Sequence, residues 1–388
     1  MFIPGARPRF AVPNTLTPLV LALLGIVASL VIWAAVSTRT LSNETSAAPL
    51  AATAESNISS VAYLVPAVRT AASGEVHNAD ILYVREPGNE EARAISEFPF
   101  PFGATGLRAH GDASPGGDRV AIVHGGPDPA QLSIVALPTG IRVLAERSVD
   151  LLSPLAWSSD GERLAAVRTV ERDGVTEAQV IQFHAESGLT LDVATFETAH
   201  QVVPVGYSSG GNRLFIVVVD KSGSTLWVRH EGSQEKLHHF SPGPTRDWSL
   251  SPDGARLAFI DRLGVGTRTY AGKTLLIATG AITEAAPGGD QLGTAWRPGK
   301  AAADFGGPDG SLRLDAPEPG EAAYVLPLRW APDGSMLVAT IYSASRDLSG
   351  TGSELIQLVP DRSLSANGRE LLSQEPGARF IGWVRGLE

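Results

Sequence analysis

The chain has 388 residues, of which 43% are hydrophobic and 19% charged, so it holds enough apolar material for a core and is not disordered as a whole. It contains no cysteine, which excludes disulfides, a cysteine nucleophile and Cys-ligated zinc or iron–sulfur sites. Its net charge of −10 excludes a basic nucleic-acid footprint, and its 41 glycines and 27 prolines favour many turns over long helices.

The first predicted element is a transmembrane helix at residues 15–38, preceded by a short cytoplasmic N-terminus at residues 1–14. Residues 19–36 form an almost unbroken apolar run, which as a helix covers about 27 Å of the roughly 30 Å bilayer core. Arg7 and Arg9 precede this run, so the positive-inside rule places the N-terminus inside. The rest of the chain is then expected in the periplasm or the extracellular space.

A cleaved signal peptide is the alternative, because Ala34, Ala35, Ala47 and Ala48 offer small residues to a peptidase. The apolar region of a signal peptide normally has about 7–15 residues, which is shorter than this run, so a retained signal anchor is preferred. Without the three arginines of residues 1–39 the net charge falls from −10 to −13. That charge argues against binding to anionic lipid or nucleic acid.

Residues 39–58 are rich in alanine, serine and threonine and have no apolar period, so they are predicted to form a flexible linker. As a flexible chain of that length, the linker has a root-mean-square reach on the order of 25 Å. It separates the predicted membrane anchor from the remainder of the chain.

Residues 59–388 contain one recurring motif: an aromatic or apolar residue, a tight turn, commonly an arginine, and a short apolar strand. Pairs such as Asp160-Gly161 and Asp253-Gly254 suit a hairpin turn, because glycine adopts positive φ without strain. The mean spacing is about 45 residues, which is the period of a four-stranded propeller blade. The copies begin at Ala113, Trp157, Tyr207, Leu250, Trp296 and Trp330, and Trp383 continues the register.

The two ends of this region predict a closed ring. Residues 59–66 match the second half of the motif, and residues 377–386 match the first half. If the C-terminal strand pairs with the first blade, no sheet edge remains open, and the fold is an all-β, seven-bladed β-propeller preceded by one transmembrane α-helix. Six blades is the alternative, because the unit at Trp296 is short and its strand matches the motif poorly.

The SPDG-x-R-L-A-F pattern at residues 251–259 resembles the blade repeat of TolB-like, WD-repeat-related β-propellers, which are common in bacterial envelope proteins. The resemblance covers roughly residues 59–388 and implies the propeller fold. It also implies a binding role, since such propellers bind proteins, peptides or sugars, and some accompany hydrolase domains.

Two short motifs suggest chemistry but are better explained by the repeat. Residues 206–210 match the G-x-S-x-G nucleophile elbow, yet Ser208 stands at the repeat turn and a strand follows it instead of a helix. Residues 266–274 approach a phosphate-binding loop, but they have one residue too many and also lead into a predicted strand. Both are predicted to be hairpin turns.

No metal, cofactor or catalytic residue is predicted. The histidines have no compact metal-ligand spacing, and the Asp-Gly turns lack the alternating acids of a calcium loop. The recurring arginines are expected to hold neighbouring strands or turns, with an anion-binding ring as the alternative. The histidines are His77, His110, His124, His184, His200, His230, His238 and His239, and the arginines are Arg119, Arg163, Arg213 and Arg256.

The predicted function is a non-catalytic, membrane-anchored scaffold or accessory subunit that binds a protein partner in the membrane or envelope. The alternative is a carbohydrate- or peptide-binding sensor that uses the propeller channel, and an enzyme with a site assembled from several blades is a third class. Residues 342–353 are the longest glycine- and serine-rich loop within a blade. The tryptophans that a sugar could stack on, although core packing is preferred for them, are Trp157, Trp227, Trp248, Trp296 and Trp330.

Overall fold

Every helix or strand in the described part of the computed structural model is a β-strand, which confirms the all-β prediction. The structure describes residues 58–70, 73–89, 91–100, 108–125, 130–197, 199–240, 245–263, 270–284, 291–307, 323–346, 356–366, 369–370 and 377–387. Among these residues no helix is long and apolar enough to cross a membrane. The predicted membrane span at residues 15–38 lies outside them.

The strands assemble into seven sheets, numbered here in chain order. Sheet 1 contains β1 (Ile58–Thr70), β2 (Val76–Arg85), β3 (Arg93–Phe100) and the C-terminal strand β26 (Arg379–Arg385). Sheet 2 contains β4 (His110–Ala113), β5 (Arg119–His124), β6 (Ala130–Ala136) and β7 (Arg142–Val149). Sheet 3 contains β8 (Ala156–Trp157), β9 (Arg163–Arg172), β10 (Val175–His184) and β11 (Thr190–Glu197).

The remaining sheets follow the same plan. Sheet 4 contains β12 (Gln201–Tyr207), β13 (Arg213–Asp220), β14 (Gly223–His230) and β15 (Ser233–His239). Sheet 5 contains β16 (Thr245–Leu250), β17 (Arg256–Arg262), β18 (Tyr270–Leu276) and β19 (Ala281–Glu284). Sheet 6 contains β20 (Leu292–Trp296) and β21 (Ala303–Gly306). Sheet 7 contains β22 (Ala323–Trp330), β23 (Leu337–Arg346), β24 (Ile356–Ala366) and β25 (Arg369–Glu370).

Sheet 1 is built from both ends of the described chain. Its strand order is β26-β1-β2-β3, and β26 runs antiparallel to β1. The register places Val61 opposite Trp383 and Tyr63 opposite Phe380. The strand that the half motif predicts at residues 59–66 is longer in the structure, because β1 continues to pair with β2 as far as Thr70 opposite Val76.

Neighbouring sheets pack face to face through buried apolar side chains. Ala121 and Leu132 of sheet 2 share one cluster with Trp157 and Ile181 of sheet 3, and all four are completely buried. Equivalent clusters join sheets 1 and 2, sheets 3 and 4, sheets 5 and 6, and sheets 6 and 7. Because strand side chains alternate between the two faces of a sheet, each sheet between two others buries apolar residues on both faces.

The unit at Trp296 forms a two-stranded sheet in the described residues. β20 pairs with β21, with Trp296 opposite Ala303. Trp296 is completely buried against Ala258 and Ile260 of sheet 5, and Ala295 packs with Trp330 of sheet 7. The weakly matching repeat copy therefore lies between sheets 5 and 7.

The predicted loop at residues 342–353 is wrong in its first part. Residues 342–346 belong to β23, where Tyr342 pairs with Tyr324 on β22 and Ser343 with Ala323. The chain continues as a strand because both neighbouring strands, β22 and β24, supply backbone hydrogen-bonding partners there. The rest of the predicted loop lies outside the described residues.

Candidate binding surfaces

The innermost strand of each sheet lies at the centre of the assembly. Seven strands contact one another in the order β26, β4, β8, β12, β16, β20 and β22. The series closes because the indole Nε1 of Trp383 on β26 donates to the backbone oxygen of Arg329 on β22, at 3.4 Å. These seven inner strands therefore form a ring, and their polar side chains are the first candidates for a binding site.

The motif tryptophans connect neighbouring sheets by hydrogen bonds. The indole Nε1 of Trp157 donates to the backbone oxygen of Asp112 at 3.2 Å, and that of Trp296 donates to Ser249 at 3.0 Å. The indole of Trp330 donates to Asp304 Oδ2 at 2.9 Å. A buried indole needs such a partner, and here each partner belongs to the preceding sheet.

Asp112 and Arg329 form an ion pair between two inner strands. Arg329 Nη2 donates to Asp112 Oδ1 at 2.7 Å, and the side chains are 10% and 1% exposed. Burial raises the pKa of Asp112 to about 6, although the charge and hydrogen bond of Arg329 act in the opposite direction. Loss of hydration therefore outweighs the attraction of the arginine.

This ion pair was not predicted from the sequence, although the positions of its two residues in the repeat distinguish them. Asp112 and Arg329 each stand one residue before the aromatic or apolar position that opens the motif. Only these two copies of the motif carry a charged residue at this position, and the other five copies carry a small, uncharged one. These small residues are Ala156, Gly206, Ser249, Ala295 and Gly382.

A second buried ion pair lies where β26 begins. The guanidinium of Arg379 contacts the carboxylate of Asp80, whose other oxygen accepts the backbone N–H of Ala109 at 2.9 Å. His110 Nε2 donates to the backbone oxygen of Leu151 at 2.9 Å. Burial, and secondarily the charge of Arg379, lowers the pKa of His110 to about 4, so this ring is neutral at pH 7.

A strained residue interrupts inner strand β16. Asp247 has a φ of 55°, and the register of β16 with β17 shifts between Arg246 and Ser249. The bulge turns the Asp247 carboxylate towards sheet 6, where its Oδ2 accepts the backbone N–H of Gly293 at 2.9 Å. Arg246 stacks over the ring of Tyr270, with 4.6 Å between its Cζ and the ring centroid. Such strain is kept only where surrounding contacts hold it.

The repeat turns use their polar residues to hold the fold. In sheet 3 the Ser158 hydroxyl accepts the backbone N–H of Arg163 at 2.9 Å, and Arg163 Nη2 donates to Asp160 Oδ2 at 3.2 Å. The same guanidinium lies over the ring of Tyr207 in sheet 4, with its Cζ 5.6 Å from the ring centroid. These contacts agree with the structural role expected for Arg163. Arg119 and Arg256 likewise lie near Asp118 and Asp253.

The nucleophile-elbow motif lies in the repeat turn, whereas the described part of the phosphate-loop motif, residues 270–274, lies on strand β18. Ser208 follows β12, its hydroxyl donates to Asn212 Oδ1 at 3.0 Å, and strand β13 follows the turn. Lys273 lies on strand β18 and its Nζ donates to Asp261 Oδ2 at 2.6 Å. Neither side chain has the backbone context of a nucleophile elbow or a phosphate loop.

The described histidines are distributed over several sheets. His77 pairs with Glu97, and His124 Nε2 hydrogen bonds to the Ser133 hydroxyl at 2.7 Å. Burial lowers the pKa of His124 to about 4. In the part of the chain that the structure describes, no group of three or more histidine, aspartate or glutamate side chains is placed to hold a metal ion.

The two ends of the ring differ in character. One end, called here the turn face, carries the turns at Gly117, Gly161, Gly211, Gly254 and Gly334. Each of these turns touches the preceding sheet; for example, Ser159 Oγ donates to the backbone oxygen of Ser209 at 2.9 Å. The opposite end, the hairpin face, carries the β1–β2 and β9–β10 turns, because β1 and β9 both start at the turn face.

Comparison with known proteins identifies the class of fold. No family model matches the sequence, and no curated protein matches it. The uncomplexed acylaminoacyl peptidase of Pyrococcus horikoshii is 13% identical with a TM-score of 0.52, over 82% of this chain and 51% of that chain. TolB from Acinetobacter baumannii is 14% identical with a TM-score of 0.47, over 86% and 69% of the two chains.

A further similar structure is the β-propeller domain of the Trilobed protease from Pyrococcus furiosus, at 13% identity and a TM-score of 0.48, over 81% of this chain and 96% of that chain. Identities this low concern the fold alone. The closed ring of inner strands and the radial packing of the sheets define this chain as a protein with a β-propeller fold. The chain aligns with about half of the peptidase.

Proposed function

We propose that this protein is a membrane-anchored, extracytoplasmic scaffold that binds another protein and has no catalytic chemistry of its own. In this proposal residues 15–38 anchor the chain in the cytoplasmic membrane. Residues 39–57 form the linker, which is one residue shorter than predicted because β1 already begins at Ile58. Residues 58–388 form a seven-bladed β-propeller in which sheet 6 counts as a blade. The partner is a protein of the membrane or the cell envelope, and no nucleic acid is bound.

The exposed surface of the hairpin face supports this proposal. Val68, Val76 and Val175 are 65%, 44% and 42% exposed there. They are surrounded by exposed charged residues such as Arg69 and Glu171. Apolar side chains within a charged rim are typical of surfaces that bind proteins.

The inner strands support the non-catalytic part of the proposal. Asp112 and Arg329 join the inner strands of sheets 2 and 7, and Asp80 on β2 and Arg379 on β26 join two strands of sheet 1. These charges hold strands together, which is a structural use. Of the five tryptophans offered to a sugar, Trp157, Trp248 and Trp296 are completely buried, so these three give the alternative sugar sensor no support.

Affinity purification with matched variants tests the proposal. The full chain, tagged at its C-terminus, is purified in mild detergent from membranes of its own host, and co-purifying proteins are quantified by mass spectrometry. The double variant Val68→Glu/Val76→Glu places charge on the hairpin face. Leu237→Glu on β15, where Leu237 is 36% exposed, is the matched control.

We expect one membrane or envelope protein in stoichiometric amount with the wild type and with Leu237→Glu, and at least tenfold less of it with the double variant. A tagged chain that elutes alone from the membrane fraction would contradict the scaffold role. Recovery of the chain in the soluble fraction of disrupted cells would contradict the anchor. The wild-type chain is also screened against glycans and peptides, and specific binding there would favour the alternative.

A further inference from the structure

The chain enters the propeller at the turn face. Ile58, the first residue of β1, lies beside the β4–β5 turn, because a Cβ built at Gly117 would be 3.2 Å from Ile58 Cγ1. Arg385, at the end of β26, donates its backbone N–H to the Gly117 oxygen at 3.0 Å. Both ends of the described chain are therefore on this face.

The outer hairpins of sheets 2 and 3 also turn at this face. The backbone N–H of Leu137 donates to the Asp118 oxygen at 2.7 Å, and that of Ala185 donates to the Glu162 oxygen at 2.7 Å. These bonds join each outer turn to the inner turn of the same sheet. The residues that directly follow the glycines of the two outer turns, Gly140 and Gly188, therefore lie at the rim of the turn face.

Each rim position carries an exposed apolar pair. Ile141 and Val143 in sheet 2 are 63% and 56% exposed, and Leu189 and Leu191 in sheet 3 are 55% and 48% exposed. The two pairs occupy equivalent positions after the turn glycine in neighbouring sheets, and together they are called here the rim patch. If the four side chains are contiguous, they mark a binding surface.

Three of the inner turns hold an arginine beside an acidic residue. Arg119, Arg163 and Arg256 lie 3.2–3.5 Å from the acidic residues of their own turns. These three arginines are paired within the protein, so the attraction of this face to lipid rests on its apolar side chains. An anionic bilayer is disfavoured because the net charge after residue 39 is −13, from the chain total of −10 and three arginines before that point.

We propose that the turn face rests on the bilayer, with the rim patch of Ile141, Val143, Leu189 and Leu191 inserted among the headgroups of uncharged or zwitterionic lipids. This inference rests on the proposed anchor, which holds the ring within the linker's reach, on the order of 25 Å. At the resulting high local concentration even a weak apolar contact is occupied. The hairpin face then points away from the lipid, where a partner protein has access to it.

Single cysteines provide the test, since the natural chain has none that would compete for a label. Full-length Ile141→Cys and Leu189→Cys variants are labelled with an environment-sensitive fluorophore and reconstituted into phosphatidylcholine nanodiscs. Val175→Cys on the hairpin face is the control, because Val175 is apolar and 42% exposed. Quenching by brominated lipid and by aqueous iodide is compared at the three positions.

We expect brominated lipid to lower the emission at positions 141 and 189 at least twofold, and iodide to quench position 175 preferentially. Labels at 141 and 189 that respond to iodide as strongly as the label at 175 would overturn the inference while leaving the anchor intact. Protection from both quenchers that disappears on dilution would also overturn it, in favour of a second copy of the chain. Failure of the chain to enter nanodiscs would overturn the proposed anchor and, with it, this inference.

A second variant separates lipid insertion from local label effects. In the Val143→Cys chain, Leu189→Asn and Leu191→Asn remove the apolar character of the neighbouring pair. We expect quenching by brominated lipid at position 143 to fall at least twofold, because the two pairs insert together. Unchanged quenching would contradict a shared patch. The denaturation temperature of the variant is measured alongside, to show that the sheets remain folded.

Discussion

Arg329 and Asp112 are 217 positions apart in the sequence, yet their side chains meet at 2.7 Å. Arg329 belongs to sheet 7 and Asp112 to sheet 2, and these sheets flank sheet 1, which is assembled from the two ends of the described chain. The ion pair therefore bridges the place where the ring closes. It joins the two sheets on either side of the sheet that the chain ends share.

The first prediction concerns this ion pair. Arg329→Met leaves the Asp112 carboxylate buried without its arginine, so the free energy of unfolding should fall by about 3–5 kcal/mol. The double variant Arg329→Met/Asp112→Leu removes both charges and should recover most of that loss. Urea denaturation of the purified chain measures both values.

Asp192→Asn is the control for the ion-pair prediction. Asp192 pairs with Arg168 at 2.6 Å, but its side chain is 53% exposed. Exposed pairs contribute roughly 0–1 kcal/mol, so this variant should change stability little. Equal losses from Arg329→Met and Asp192→Asn would mean that burial of the inner pair has no special effect.

The second prediction concerns pH. Burial lowers the pKa of His124 to about 4 in the folded protein, from an ordinary value of 6.5. The unfolded chain binds a proton below pH 6.5 while the folded chain does not, so stability is lost as the pH falls from 6.5 towards 4. At pH 5 the loss from this group is on the order of 2 kcal/mol. His110 acts in the same direction.

His124→Gln checks the pH prediction. The glutamine amide retains a donor for the Ser133 hydroxyl but does not titrate, so the drop in unfolding free energy between pH 7 and pH 5 should be smaller than in the wild type. Asp112 acts with the opposite sign, because its raised pKa of about 6 makes stability rise as the pH falls from 6 to 3.8. A pH dependence that is identical in the variant would refute the assignment to His124.

The third prediction concerns the indole bridges. Trp296→Phe keeps an aromatic ring in the core but removes the 3.0 Å hydrogen bond to the Ser249 oxygen. The loss of one buried hydrogen bond together with part of the side-chain volume should reduce stability by about 1–3 kcal/mol. Trp227 is half-buried, with its ring packed edge-on against Phe196. Trp227→Phe should therefore cost less, and a larger effect there would argue against the bridges as the important contacts.

The fourth prediction separates backbone strain from crowding at two glycines. Gly188 has a φ of 71° and no atom within 4 Å of a built Cβ, so Gly188→Ala should cost about 1–2 kcal/mol from strain alone. Gly254 has a φ of 68°, and its Cβ would lie 3.0 Å from Ser208 Cα in the neighbouring sheet. Gly254→Ala should therefore cost about 1–3 kcal/mol more, as measured by the shift in the urea midpoint. Equal costs would show that the neighbouring turn moves freely.

Part of the candidate site was readable from the sequence and part was not. The turn position of Ser208 and the structural role of Arg163 follow from the repeat, because each depends on residues within a few positions. The pairs Asp112–Arg329 and Asp80–Arg379 do not follow from it, since Asp112 and Arg329 lie in different sheets, and Asp80 and Arg379 come to sheet 1 from opposite ends of the described chain. The bulge at Asp247 was also hidden, because it depends on a carboxylate that binds the backbone of sheet 6.

By itself the sequence determined the repeating strand, turn and strand pattern, and with it the all-β class. Alternating apolar residues and Asp-Gly turns act over only a few bonds, so every copy of the motif carries the information independently. The tertiary structure alone decided which buried charges meet, how far β1 and β23 extend, and which apolar side chains remain exposed at the rim of the turn face. Those outcomes depend on neighbours brought together by ring closure, and the cost of burying a charge or an apolar surface is set by those neighbours.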